Sequence, residues 1–89
     1  MNIRYSRRAL SQLASVFEYL RERDQSAADN VTASIRSTIA RLREMPLLGK
    51  ATDEAGVHAI IEPEYLYRMF YSVDGEFVYV IRILHGRQG

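Results

Sequence analysis

The sequence predicts an α+β domain in which a helical hairpin packs on one face of a small, mainly antiparallel sheet. Three observations carry this. Residues 6 to 45 place apolar side chains at helical spacing, interrupted once at Asp24-Gln25-Ser26. The last 25 residues hold two β-rich runs around Asp74-Gly75, a dipeptide suited to a tight turn. Pro46 and Pro63 end the segments that precede them. The predicted order is β-αα-βββ in one domain over residues 1–89, a helix layer against a sheet layer.

Asn2 to Tyr5 reads as a short strand with Ile3 and Tyr5 on one side. Ser6 is a candidate N-cap for a helix running to about Asp24. Its apolar stripe is Leu10, Leu13, Phe17 and Leu20, helped by Ala9, Ala14 and Val16. Ser26 with Asp29 resembles a capping box and opens a second helix. That helix carries Ala28, Val31, Ile35, Ile39, Leu42 and Met45, and Pro46 stops it. Leu47 to Gly56 is expected to be a loop, and Val57 to Glu62 a strand ended by Pro63.

If Asp74 and Gly75 are the two central turn residues, Val73 faces Glu76, Tyr71 faces Val78, Met69 faces Val80 and Tyr67 faces Arg82. Arg82 then points toward the helices. The opposite face holds Arg68 and Phe70 with Phe77, Tyr79, Ile81, Ile83 and His85. A half-buried hairpin should alternate apolar and polar residues. This one is largely apolar on both faces, and one helix layer covers only one of them. The second face is expected to meet a partner.

A chain of 89 residues buries only about 60–65% of its unfolded surface, so a partner that covers more would stabilise it. With no cysteine, disulfides and thiolate zinc sites are excluded. No apolar run approaches the roughly 20 residues of a membrane span, and Met-Asn-Ile-Arg-Tyr lacks the core of a signal peptide. A cytoplasmic protein without cofactor or metal is expected. The net charge of +1 carries no nucleic-acid signature, and direct nucleic-acid binding is not expected. The halves differ: residues 1–45 hold eight arginines against five acids, and residues 46–89 hold four basic residues against six acids.

The element order, Tyr67-Arg68-x-x-Tyr71 before the turn, and Ile83-Leu84-His85-Gly86-Arg87 after it together resemble the RelE/ParE superfamily of type II toxin–antitoxin toxins. Ser6-Arg-Arg-Ala9, Ser26-Ala-Ala and Leu42-x-x-x-Pro46-x-x-Gly49 extend the resemblance over essentially the whole chain. It implies a RelE/ParE-like fold and a cognate antitoxin that neutralises the toxin by direct binding, as a hetero-oligomer. It also implies one of two targets. RelE-like members cut mRNA on the ribosome, and ParE-like members poison DNA gyrase without chemistry of their own. RNA cutters of the superfamily carry two lysines on the strand before the hairpin. Those positions fall on Ala59 and Ile61 here, and the C-terminal tyrosine of RelE-type toxins finds no counterpart. The resemblance therefore leans to the ParE branch and to gyrase.

Arg68 and His85 are the residues an mRNA endonuclease would use, since both lie on the same predicted face and a histidine titrates near neutrality. Histidine at this position also occurs in ParE-like sequences, so it does not separate the branches. Arg68 has three readings: a contact to an acidic antitoxin residue, an ion pair with Glu62 or Glu64, or a phosphate ligand. The expected antitoxin-binding set is Arg68, Phe70, Phe77, Tyr79, Ile81 and Ile83. His58 has no second ligand at metal spacing and reads as a packing or surface residue. A third reading is a toxin-like fold that has lost its poison and serves only as a binding module.

Overall fold

The computed structural model describes residues 1–85 of the chain. The chain begins with β1 (Asn2–Tyr5) and continues into α1 (Arg7–Arg21) and α2 (Gln25–Ala40). A 3₁₀ turn at Arg41–Arg43 follows, then β2 (Lys50–Ala51), β3 (His58–Ile61), β4 (Tyr67–Asp74) and β5 (Phe77–His85). The strands form one five-stranded sheet in the order β1-β5-β4-β3-β2. β1 runs parallel to β5, and every other pairing is antiparallel. The predicted α+β architecture holds, with β2 added inside the segment expected to be a loop.

Both helices start where short polar side chains reach backbone donors. The Ser6 hydroxyl accepts the Ala9 N–H at 2.9 Å and caps α1. At α2 the cap is Asp24, whose carboxylate accepts from Ser26 N at 2.9 Å and Ala27 N at 3.3 Å. The predicted box built on Ser26 and Asp29 is therefore displaced by two residues. Asp29 instead accepts from the Gln25 amide at 3.1 Å. The second helix also ends earlier than Met45. Its last turn tightens to 3₁₀ at Arg41, Leu42 is fully buried, and Met45 is half exposed.

The core lies between the helices and one face of the sheet. Ile35, Ile39, Leu42, Met69, Tyr71, Val78 and Val80 are essentially inaccessible to solvent there. Burying each aliphatic or Met side chain of this set contributes about 1.5–3 kcal/mol, which fixes this face of the sheet against the helices. α1 contributes Ala9 and Leu13, while Leu10, expected in its stripe, points outward. Tyr71 places its hydroxyl to accept the Gly49 N–H at 2.9 Å. A Cβ at Gly49 would stand 2.5 Å from the Ala59 carbonyl oxygen, so only glycine allows that approach.

Candidate functional site

The hairpin differs from its predicted register in two ways, and both bear on the site. Its turn is Gly75-Glu76, with Gly75 at φ +57°, so Asp74 pairs with Phe77 and Val73 with Val78. A bulge then interrupts the ladder. Tyr71 pairs with Val80 but Phe70 with Arg82, which leaves Ile81 as the extra residue of β5. Because side chains alternate across a strand, one inserted residue exchanges the faces of everything after it.

The exchange corrects three expectations. Ile83 pairs with Met69 and is buried in the core, so it is not part of the uncovered face. His85 pairs with Tyr67 on the helix side, with the two rings edge to face at 4.9 Å. Arg82, expected toward the helices, pairs with Phe70 on the uncovered face. Arg68 and His85 therefore lie on opposite faces of the sheet. The residues expected after His85 in the closing motif fall outside those described.

The bulge sits where β1 has ended and α1 has begun. Ser6 donates its hydroxyl to the Ile81 carbonyl, and the Gln12 side chain accepts the Ile83 N–H at 2.7 Å. Two side chains thus serve backbone groups of β5 that no strand pairs on that edge. A groove lies beside them, lined by Gln12, Ser15, Tyr19, Tyr67, Ile83 and His85 among others.

The uncovered face is built on strand register. Arg82 on β5 stands opposite Phe70 on β4, Phe70 opposite Ala59 on β3, and Ala59 opposite Lys50 on β2. Arg68 lies beside this row, opposite Leu84 and Ile61. Arg4 on β1 is level with Tyr79. The Arg82 guanidinium lies 4.1 Å from the Phe70 ring centre, Arg68 lies 5.9 Å from the same ring, and Arg4 lies 4.6 Å from that of Phe77. Phe70 and Phe77 are half-buried beneath these cations, and Tyr79 is exposed. The face is thus aromatic and cationic, and less apolar than the sequence suggested. Phe70, Phe77, Tyr79 and Arg68 of the expected partner-binding set do share it.

Arg68 makes neither of its expected ion pairs. Glu62 is fully buried and turned toward the helices, where its carboxylate accepts from the Ser34 hydroxyl at 2.7 Å. It also accepts from the N–H groups of Glu64 at 2.7 Å, Tyr65 at 2.8 Å and Tyr67 at 3.5 Å. Burial opposes its charge, but the Ser34 hydroxyl and the N–H groups of Tyr65, Glu64 and Tyr67 outweigh it and lower its pKa. This carboxylate closes the loop that delivers the chain to Arg68, a loop in which Leu66 takes a left-handed φ of +66°. The Arg68 Nε is buried with no hydrogen-bond partner. His58 stacks on Tyr71 at 5.6 Å, as a packing residue would. Among the described residues no group of three or more His, Asp or Glu could hold a metal, and no helix is long and apolar enough to cross a membrane.

The family model for the ParE toxin of the type II toxin–antitoxin system parDE matches residues 3–89. No curated protein sequence matches the chain. Among solved structures, the chromosomal ParDE system of P. aeruginosa superposes with a TM-score of 0.76 at 14% identity, covering 96% of this chain and 95% of that one. The intact E. coli RelBE toxin–antitoxin complex gives 0.64 at 17% identity, with 94% of both chains covered. The YoeB dimer from Staphylococcus aureus gives 0.65 at 14% identity, covering 96% of this chain and 95% of that one. At these identities the structures establish a shared fold, and the match over residues 3–89 establishes the family. The chain belongs to the ParE toxin family, within the RelE/ParE superfamily of type II toxin–antitoxin toxins.

Proposed function

We propose that this toxin acts in the cytoplasm by binding DNA gyrase, without chemistry of its own, and is held inactive by a cognate antitoxin. The observation that carries the reading is the family match over residues 3–89, joined to Ala59 and Ile61 on the strand where RNA-cutting relatives carry lysines. The separation of Arg68 from His85 onto opposite faces supports it further, since a general acid or base must reach the same phosphate as the cation beside it. The antitoxin covers the open sheet face, meeting Arg68, Phe70, Phe77 and Tyr79, with Ile81 at the rim.

Antitoxin-free toxin added to gyrase and supercoiled plasmid should inhibit supercoiling or trap cleaved DNA. Folded toxin that leaves gyrase unaffected would overturn the proposal. The runner-up, a ribosome-dependent mRNA endonuclease using Arg68 and His85, predicts cut transcripts during growth arrest that disappear in His85→Ala. Arrest with intact transcripts removes it. If expression of the toxin alone fails to slow growth, the chain is a binding module that has lost its poison.

A further inference from the structure

In a chain with twelve lysines and arginines, one groove has none among the residues that line it. It lies on the helix side of the sheet, as two adjoining hollows of about 730 and 350 Å³ that share Leu20, Tyr67 and His85. This is the size range of small-molecule sites. The first hollow runs along α1 against the end of β5. Val16, Leu20 and Ile83 give it apolar surface, and Ser11, Gln12 and Ser15 give it polar groups. The second is bounded by the loop before β4 and adds Val31, Glu64, Tyr65 and Leu66.

Charge at the second hollow is negative. The Glu62 carboxylate stands directly behind its wall, accepting the N–H groups of Glu64 at 2.7 Å, Tyr65 at 2.8 Å and Tyr67 at 3.5 Å. These hydrogen bonds hold the charge in place but bring no cation. Among the described residues the ion pairs are Arg21 with Glu18 and Arg82 with Glu54, so neither Glu62 nor Glu64 has a positive partner. Both fields reach the rings of the wall. The Tyr65 phenol pKa is raised by burial and then by the charge of Glu64, that of Tyr67 by burial and then by the charge of Glu62. Tyr67 and His85 meet edge to face with their planes 66° apart, which makes an aromatic corner. Aromatic faces attract cations, and a buried carboxylate behind them is screened little by salt. At the other end of the groove, Arg23 already lies over the Tyr19 ring at 3.7 Å. The groove therefore suits a ligand with one positive charge, placed at the Tyr65–Tyr67 end.

We propose that this groove binds a small alkylammonium ion, its cationic head beside Glu64, Tyr65 and Tyr67 and its apolar tail along Leu20, Val16 and Ile83. From Leu20 back to Ser15 the helix advances about 7.5 Å, the reach of a six-carbon chain. A second ammonium on the tail would gain nothing, because that end has no carboxylate in its lining and lies toward Arg23. An anion finds no cation in the lining, and a neutral chain leaves the charge of the second hollow unanswered. This goes beyond the gyrase proposal and does not depend on it, since a toxin inert on gyrase would keep the groove.

The test is an NMR titration of the isotope-labelled, full-length, antitoxin-free toxin at pH 7 with hexylammonium, hexanol and hexanoate, each up to about 20 mM. Hexylammonium should shift the backbone amides of Ser15, Leu20, Tyr65, Tyr67 and Ile83 and reach saturation. An exposed cation–π contact and an exposed carboxylate are each worth about two- to fivefold, so hexanol should bind about 4- to 25-fold more weakly and hexanoate not at all. Glu64→Gln, which keeps the backbone N–H to Glu62, should weaken hexylammonium about two- to fivefold. Ser15→Arg, at an exposed helix position, puts a cation into the lining and should weaken it at least about 10-fold. Glu44→Gln, an exposed acid away from the groove, should bind within about 1.5-fold of wild type. The proposal fails if hexylammonium gives no saturable shifts, if hexanol or hexanoate binds as tightly, or if Ser15→Arg binds like wild type. A lysine-bearing peptide that shifts the same amides while hexylammonium does not would overturn it in favour of a protein partner.

Discussion

Replacing Glu62 with glutamine changes one atom and its charge, yet it should be among the most destabilising isosteric substitutions in the chain. The fully buried carboxylate accepts from three backbone N–H groups and from the Ser34 hydroxyl. A glutamine oxygen can keep Tyr65 and Tyr67. Its NH₂ group would then face the Ser34 hydroxyl, which can rotate to accept, and the Glu64 N–H, which cannot. One buried donor left without a partner costs about 1–3 kcal/mol, and loss of the charge weakens the bonds that remain. A total of about 2–3 kcal/mol follows. At roughly 2.1 cal/mol/K per residue, 89 residues give about 5 °C per kcal/mol, so the melting temperature at pH 7 should fall by about 10–15 °C. Glu62→Ala would lose every acceptor and should fall further.

The pH dependence gives the same argument a second reading. The folded pKa of Glu62 lies below its ordinary value of 4.5. A carboxylate depressed in this way binds protons more readily in the unfolded chain, so its stabilisation is complete above about pH 4.5 and is lost as pH falls through the folded pKa. Glutamine has no such term. The gap in melting temperature between wild type and Glu62→Gln, followed by circular dichroism, should therefore be widest near neutrality and narrow below pH 4.5. A gap under about 2 °C at pH 7, or one that stays constant down to pH 3.5, would refute the assignment of Glu62 as the anchor of this loop.

Three further outcomes test the sheet. Ile83→Ala should cost about 2–4 kcal/mol by opening a cavity against Met69, while Ile81→Ala, at the half-exposed bulge, should cost under about 1.5 kcal/mol; chemical denaturation that reversed the order would disprove the observed register. Gly49→Ala should destabilise by more than about 2 kcal/mol, since its Cβ would meet the Ala59 carbonyl at 2.5 Å and the Tyr71 hydroxyl at 2.8 Å; a melting temperature within 3 °C of wild type would contradict that packing. His85→Ala should leave growth arrest by the expressed toxin intact, because the ring lies on the face opposite Arg68; loss of arrest in a folded variant would restore a catalytic role.

The elements were legible in the sequence because their periods differ. Leu13, Val31, Ile35 and Ile39 fall at helical spacing, Ile3 and Tyr5 at strand spacing, and all of them face the core or its margin. The cap of α2 lies at Asp24 and not at the expected Ser26 because both are good N-caps two residues apart, and local chemistry alone ranks them equally. β2 has two residues, too few to show any period, and exists because Lys50 and Ala51 meet β3.

The face of the hairpin is a different case. Register is specified strongly only where one face is apolar and the other polar. From Met69 to Ile83 the hairpin is apolar on both sides, so a one-residue slip exchanges one acceptable core for another, and hydrophobicity does not choose. The choice is made elsewhere, by Ser6 and Gln12, which meet the backbone of Ile81 and Ile83 from the first helix and its cap. Neither residue carries a strand signal, and both act on partners more than 70 positions away. Yet the bulge they accompany sends Ile83 and His85 inward and Arg82 and Leu84 outward. An apolar docking surface with a histidine becomes a cationic and aromatic one without it, and the candidate site changes its chemistry through one residue of β5.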